Sequence, residues 1–245
     1  PVPVGGLDQH YGLGADEYFQ HHDSQEKELA GAGMMHQAEK LVATKGRLLD
    51  IGAGRGELLR SAICAGWEAV GIEPSITFAE HAAKYSGAEI RNEPLERCEF
   101  GASSFDVVVL SGVLEHLYNP DETIREVARV LRKGGALFLD VPNEAGLYFR
   151  IGNLYQKFKG RDWVVNLAPT FEPFHVFGFG PKSLRALLAK HGFTPATWRV
   201  YGGESRLPSN TGLTGIAEQQ AAKLVTTVSN FGKLGTYIET WAIKQ

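Results

Sequence analysis

The chain has 245 residues, 43% of them hydrophobic and 22% charged, with a formal net charge of −3. That composition fits a soluble globular protein with one sizeable core. It offers no basic block for nucleic-acid phosphates and no apolar run near the roughly 20 residues that span a bilayer. Neither a nucleic-acid partner nor a membrane span is therefore expected. Two unclustered cysteines, Cys64 on an apolar helix face and Cys98 in a loop, form neither a disulfide framework nor a zinc pattern. With no signal-peptide pattern in the opening residues, a cytoplasmic location is expected.

Residues 1–20 read as irregular. Residues 24–44 read as a helix with Leu29, Met34, Met35, Leu41 and Val42 buried, and residues 1–45 together as an N-terminal helical lid. Arg47-Leu48-Leu49-Asp50-Ile51 reads as a buried strand ending in a glycine turn, Gly52-Ala53-Gly54-Arg55-Gly56. The next helix carries Leu58, Leu59, Ala62 and Ile63 at helical spacing and stops at Gly66. Ala69–Glu73 is a second strand. Ser75 then caps a helix carrying Phe78, Ala79, Ala82 and Ala83, closed by Gly87. Ala88–Ile90 is a third strand, and Phe105–Leu110 a fourth and the most apolar.

Asn119-Pro120 opens a helix with Ile124, Val127, Ala128 and Leu131 on its apolar face. Gly134-Gly135 is expected to close it, and Ala136–Val141 is a fifth strand. Residues 143–180 break the rhythm. They are aromatic and glycine-rich, and read as a cap insertion. The aromatic side chains suit an aromatic, lipid or sugar ligand, or simply a small core for the insertion. A helix from Pro181 with Leu184, Leu187 and Leu188, two strands near Thr194–Tyr201 and Tyr237–Ile243, and a helical insertion at about 205–235 complete the chain. Short apolar strands alternating with helices imply a mostly parallel, doubly wound seven-stranded sheet with helices on both faces.

In such a sheet, ligands sit at the carboxyl ends of the strands. The glycine turn after the first strand lies there, and its glycines let the backbone approach a ligand closely. Gly52, Ala53, Gly54 and Gly56 are the candidates. A dinucleotide turn wants Gly-x-Gly-x-x-Gly/Ala, but the last position here is Glu57. With Asp50 just before the turn, the local charge is negative and disfavours a pyrophosphate. A cationic or zwitterionic ligand fits better, such as a sulfonium carrying a methionine ammonium group. Glu73, about 20 residues on, ends the second strand beside Pro74, where a carboxylate accepts hydrogen bonds from a ribose diol.

These segments, with Ser104-Phe105-Asp106-Val107-Val108-Val109, Leu114-Glu115-His116-Leu117 and Leu131-Arg132-Lys133-Gly134-Gly135-Ala136, resemble the Rossmann-like class I S-adenosylmethionine-dependent methyltransferases. The nearest group is the broad one containing the ubiquinone-biosynthesis O-methyltransferases. The resemblance covers about residues 45–200. It implies methyl transfer from S-adenosylmethionine to a small-molecule acceptor, with S-adenosylhomocysteine as product. It implies adenine contacts at Leu95 and Glu96, methionine contacts at Ser111, and closure by Tyr11 or Tyr18 from the N-terminal segment.

An oxygen or nitrogen acceptor needs a proton removed, and His116, just past the fourth strand, is the candidate base. The alternative is that it only orders its loop. His175, in the cap, is a candidate for the acceptor pocket. Some ubiquinone-pathway relatives hold a divalent metal through Glu-x-x-Glu-His at this point. Gly112 stands here at the first glutamate position, so no metal is expected and a catechol-type acceptor is disfavoured. Two other functions remain open: a non-catalytic S-adenosylmethionine-binding module, and a nicotinamide-dependent oxidoreductase. The second lacks a hydride-transfer constellation.

Overall fold

A computed structural model describes residues 24–162, 164, 175–202, 220, 224, 227–229 and 234–245. In chain order its elements are α1 (Ser24–Leu41), β1 (Arg47–Ile51), α2 (Glu57–Cys64), β2 (Glu68–Ile72), α3 (Ile76–Ser86), β3 (Glu89–Arg91), a 3-10 turn (Leu95–Arg97), β4 (Phe105–Ser111), a second 3-10 turn (Leu114–His116), α4 (Pro120–Val130), β5 (Leu131–Pro142), α5 (Leu147–Phe158), α6 (Pro181–Lys190), β6 (Phe193–Tyr201) and β7 (Tyr237–Lys244). The seven strands lie in the order β3-β2-β1-β4-β5-β7-β6. Only β7 runs against its neighbours. This is the expected Rossmann-like sheet. Its switch point lies between β1 and β4, so the segments leaving those strands diverge to opposite sides and open a crevice at the carboxyl edge.

Alternating side chains divide the core in two, because successive strand residues face opposite sides of the sheet. Leu49, Val108, Leu110, Leu137 and Leu139 pack with Ile124 and Val127 of α4 and Leu184 and Leu188 of α6. Leu48, Val107, Val109 and Phe138 pack with Met35 and Ala38 of α1, Leu59 and Ala62 of α2, and Trp241 of β7. Strands buried on both faces are near-continuous apolar runs, which is why β1 and β4 stand out in the sequence.

Several expectations need correction. Leu29 is exposed, because the inward face of α1 is Met35 and Ala38, followed by Val42 just past its end. Cys64 is exposed and Cys98 buried. Ile63 also faces outward, since Leu59 and Ala62 already fill the face of α2 turned to the sheet. Gly134-Gly135 does not end α4. The helix ends at Val130, and β5 begins at once, with Leu131 paired to Phe105. The register with β4 then shifts before Val107 meets Ala136, so the glycines sit in a bulged strand, where Gly134 takes a positive φ of 72°. β3 runs one residue later than expected. The cap contains a regular helix, α5. Trp163, Phe171 and Phe174 of the cap lie outside the described residues, as does most of the insertion at 205–235, in which residues 220, 224 and 227–229 are helical.

The stop of α3 and the N-cap of α4 act as read. Gly87 closes α3 with φ 76°, and the Asn119 side chain accepts from the Glu122 amide at 3.3 Å. Ser75 occupies the N-cap of α3 but bonds no helix amide. Its hydroxyl lies 3.1 Å from Thr77 Oγ1. Asn119→Ala is expected to cost about 1 kcal/mol of stability in urea unfolding and to leave ligand affinity unchanged, since the cap lies at the start of an outer helix.

Candidate functional site

The glycine turn follows β1 directly. The amides of Gly52 and Ala53 both donate to the carbonyl of Ile72, at 2.8 and 2.9 Å, which ties the turn to the end of β2. Gly52, Gly54 and Gly56 all take positive φ. At Gly56 an added Cβ would stand 3.0 Å from the Ala82 carbonyl of α3, so close helix packing excludes a side chain there. At Gly54 nothing lies within 4 Å of that position. The turn therefore presents bare backbone to open space.

Three carboxylates surround this turn. Asp50, Glu57 and Glu73 are all buried. Glu73 accepts from the Gly54 amide at 2.9 Å and from the Ser75 amide at 3.0 Å. Burial raises its pKa, and those two hydrogen bonds oppose the shift. Burial, then the charges of Glu73 and Glu57, pushes Asp50 up to about 7. Glu57 is the first residue of α2, so its negative charge occupies the helix N-terminus where a pyrophosphate would otherwise sit. One of its oxygens is buried without a hydrogen bond, and its ion pair with Arg55 is 3.7 Å long. Three buried carboxylates around one turn, one of them holding an oxygen with only a long ion pair, suit a cation.

Asn92 was not singled out in the sequence. Its amide donates to the carbonyls of Glu73 and Pro74, at 2.7 and 2.8 Å, and so fixes the turn that aims the Glu73 carboxylate. Leu95 and Glu96 lie beyond it on the 3-10 turn. The Leu95 side chain is part of the core. The Glu96 carboxylate accepts from the Thr123 hydroxyl at 2.7 Å, which ties this loop to α4. Tyr11 and Tyr18 lie outside the described residues.

The segment after β4 reaches the same edge. Ile51 pairs with Leu110, so the two strands end level, and a Cβ on Gly52 would stand 2.5 Å from a Val113 methyl. Ser111 is exposed at the end of β4, opposite Asp140 in β5. Glu115 is buried, and its backbone carbonyl accepts from the amides of Val176 and Phe177, at 2.8 and 3.0 Å. Those two bonds bring His175 over the turn. The rings of His116 and His175 meet edge to face, centroids 4.8 Å apart. Glu115, His116 and His175 each offer a ligand-capable atom within 4.8 Å of the others, so this trio is also where a metal could be held. Burial, with the nearby charge of Asp140, pushes Glu115 up to about 8. Asp140 is itself raised by burial to about 6, against the hydrogen bond it accepts from Tyr201 at 3.2 Å.

A family model described as a methyltransferase domain matches residues 20–197. The chain belongs to that family. Among its relatives, a "probable S-adenosylmethionine-dependent methyltransferase" of Mycobacterium tuberculosis is 29% identical over 147 residues, 60% of this chain and 48% of the relative. The ubiquinone biosynthesis O-methyltransferase of Caulobacter vibrioides is 32% identical over 149 residues, 58% of this chain and 57% of the relative. The chain spans about half the length of the curated relatives it matches. A protein solved in complex with the Haloferax volcanii Trm112 methyltransferase activator shares the fold, with a TM-score of 0.64 at 14% identity, covering 97% of this chain and 96% of that one.

Within this methyltransferase domain, then, the predicted residues fall into two neighbouring groups at one sheet edge. Asp50, Gly52, Ala53, Gly54, Gly56, Glu73 and Pro74 form the first. Ser111, His116 and His175 lie with the second. Asn92, Asp140 and Tyr201 were missed. Tyr201 is distant in sequence from its partner Asp140, so no spacing pattern reveals the contact, whereas Asn92 lies three residues before Leu95 in the same connection.

Proposed function

We propose that this methyltransferase domain binds S-adenosylmethionine at the glycine turn and transfers its methyl group to an oxygen or nitrogen of a small-molecule acceptor, leaving S-adenosylhomocysteine. One observation carries the reading: three buried carboxylates converge on a turn whose central glycine faces open space. That charge favours an ammonium and a sulfonium and repels a pyrophosphate, which disfavours the nicotinamide alternative. When bound, the cofactor supplies an electrophilic methyl on a sulfonium, already a good leaving group.

The rest falls to the chain. Glu73, held by Asn92, is the acceptor for ribose hydroxyls, and Asp50 and Glu57 supply negative charge for the ammonium. With the Leu95 side chain in the core and the Glu96 carboxylate on Thr123, this loop would meet adenine through its backbone. Ser111 borders the methionine end. His116, beside His175, takes the acceptor's proton, and the pair holds the nucleophile in line with the methyl group, ~3–3.5 Å from it. Because α1 packs into the core, closure over the cofactor is assigned only to the residues before it, with Tyr18 as their candidate contact.

A second reading is favoured by the Glu115–His116–His175 trio. A bound transition metal there would polarise the acceptor oxygen, and His116 would serve as ligand instead of base.

Calorimetry separates the alternatives. S-adenosylmethionine and S-adenosylhomocysteine are expected to bind, and NAD is not. Tight NAD binding with no S-adenosylmethionine binding would overturn the proposal. Formation of S-adenosylhomocysteine with an acceptor panel separates an enzyme from a binding module. The raised pKa of Asp50 adds a further expectation. Without ligand, Asp50 is largely protonated at pH 6, and a neighbouring ammonium favours its ionised form. Binding at pH 6 should therefore release protons, seen as a dependence of the binding heat on buffer ionisation enthalpy, and affinity should rise as pH climbs towards about 7.

A further inference from the structure

Helix α5 leaves the carboxyl edge of the sheet beside the site. Its start is pinned: the Leu147 amide donates to the Leu234 carbonyl at 2.9 Å, and the Asn143 amide to Thr236 at 2.7 Å. Phe149, on its first turn, is buried. Beyond that the helix turns apolar side chains outward. Ile151 is 43% exposed, Leu154 55% and Phe158 83%. Positions i, i+3 and i+7 make one stripe along a helix. The exposure grows with distance from the pinned end, so the stripe projects from the domain.

Cations flank that stripe. Arg150, Lys157, Lys159 and Arg161 are all exposed, against a single acid, Asp162, between residues 147 and 162. This stands out in a chain of net charge −3. The Lys159 Nζ lies over the Tyr155 ring, 4.4 Å from its centroid. An apolar stripe bordered by lysine and arginine is how a helix lies in the headgroup region of a bilayer. At 12 residues the helix is about 18 Å long, too short to cross, and among the described residues no helix is long and apolar enough to do so.

We infer that the outer face of α5 is a docking surface for an anionic lipid membrane, with Ile151, Leu154 and Phe158 entering the headgroup region and Arg150 and Lys157 meeting the lipid phosphates. The basic border calls for an anionic partner, and an anionic bilayer uses both features over the whole helix face. Because α5 starts at the carboxyl edge, such docking sets the crevice against the membrane, where an amphiphilic acceptor resides. The docking itself is independent of the methyl-transfer reading.

The test is co-sedimentation of the full chain with phosphatidylcholine vesicles, with and without phosphatidylglycerol, at low and high salt. The protein should pellet with the anionic vesicles, remain in solution with the zwitterionic ones, and dissociate at high salt. Arg150→Ala and Lys157→Ala should each weaken binding about five-fold, the equivalent of ~1 kcal/mol per basic side chain at such a surface. Leu154→Glu/Phe158→Glu should abolish it while leaving the circular dichroism spectrum and S-adenosylmethionine affinity unchanged. Equal pelleting of that double variant, or no preference for anionic vesicles, would overturn the inference. So would light scattering that shows a wild-type dimer split by the double variant, since a second copy would then cover the face.

Discussion

Gly54→Val is expected to lower affinity for S-adenosylmethionine by at least about 100-fold, roughly 3 kcal/mol, with the fold retained. Two effects combine. Gly54 sits at φ 52°, where a β-branched residue is strained by about 1–2 kcal/mol. That strain acts on stability and should appear as a modest drop in Tm. The second effect acts on binding. The position of the missing Cβ faces open space, and an isopropyl group there would fill the volume assigned to the ligand and block the approach to bare backbone. Gly54→Asn separates the two, because asparagine tolerates the left-handed region. It should recover much of the Tm loss but little of the affinity. Calorimetry and thermal unfolding on the two variants check this. If Gly54→Val binds S-adenosylmethionine as the wild type does, the glycine turn is not the cofactor site.

The sequence shows this turn so clearly because its requirements are local. A buried strand, a positive-φ turn and a helix start fall within ten residues, and each leaves a mark in residue type. Glu73 is legible for the same reason: it ends the next strand of the repeating unit. The parts that were not legible depend on contacts between distant segments. Gly134-Gly135 carries a turn signal that fits a helix stop as well as a bulge. Only the pairing of Leu131 with Phe105 decides for the bulge. Leu29 has the residue type of a core position, but among the described residues nothing covers it at that end of α1. Asp140 reads as one more residue of a buried strand, until Tyr201 from β6 is seen to donate to it across the inserted β7. His175 is a candidate in the sequence only by its place in the cap. What places it beside His116 is a pair of amides bonded to the carbonyl of Glu115, and backbone bonding of that kind leaves no trace in the side chains.

His116→Ala is the sharper test of chemistry. With a competent acceptor it should slow S-adenosylhomocysteine formation by about 10²–10⁴-fold, the usual worth of a positioned base. Cofactor affinity should stay near wild type, because His116 lies on the turn after β4 and the binding carboxylates on the segments after β1 and β2. The pH profile carries the more specific signature. A base must be unprotonated to act, so with S-adenosylmethionine saturating, which removes the effect of Asp50 on affinity, the acid limb of the wild-type rate should vanish in the variant. His175→Ala should weaken acceptor binding more than it slows turnover, since it packs edge-on against His116 and reaches the site through the cap. The metal alternative gives a different pattern. A chelator would then silence the wild type, and Glu115→Gln would lose as much activity as His116→Ala along with the bound metal. Chelator-resistant turnover with intact Glu115→Gln activity leaves His116 as the base. Unchanged turnover in His116→Ala would instead reduce it to a residue that orders its turn, and proton removal would pass to one of the two buried carboxyls nearby, Glu115 or Asp140.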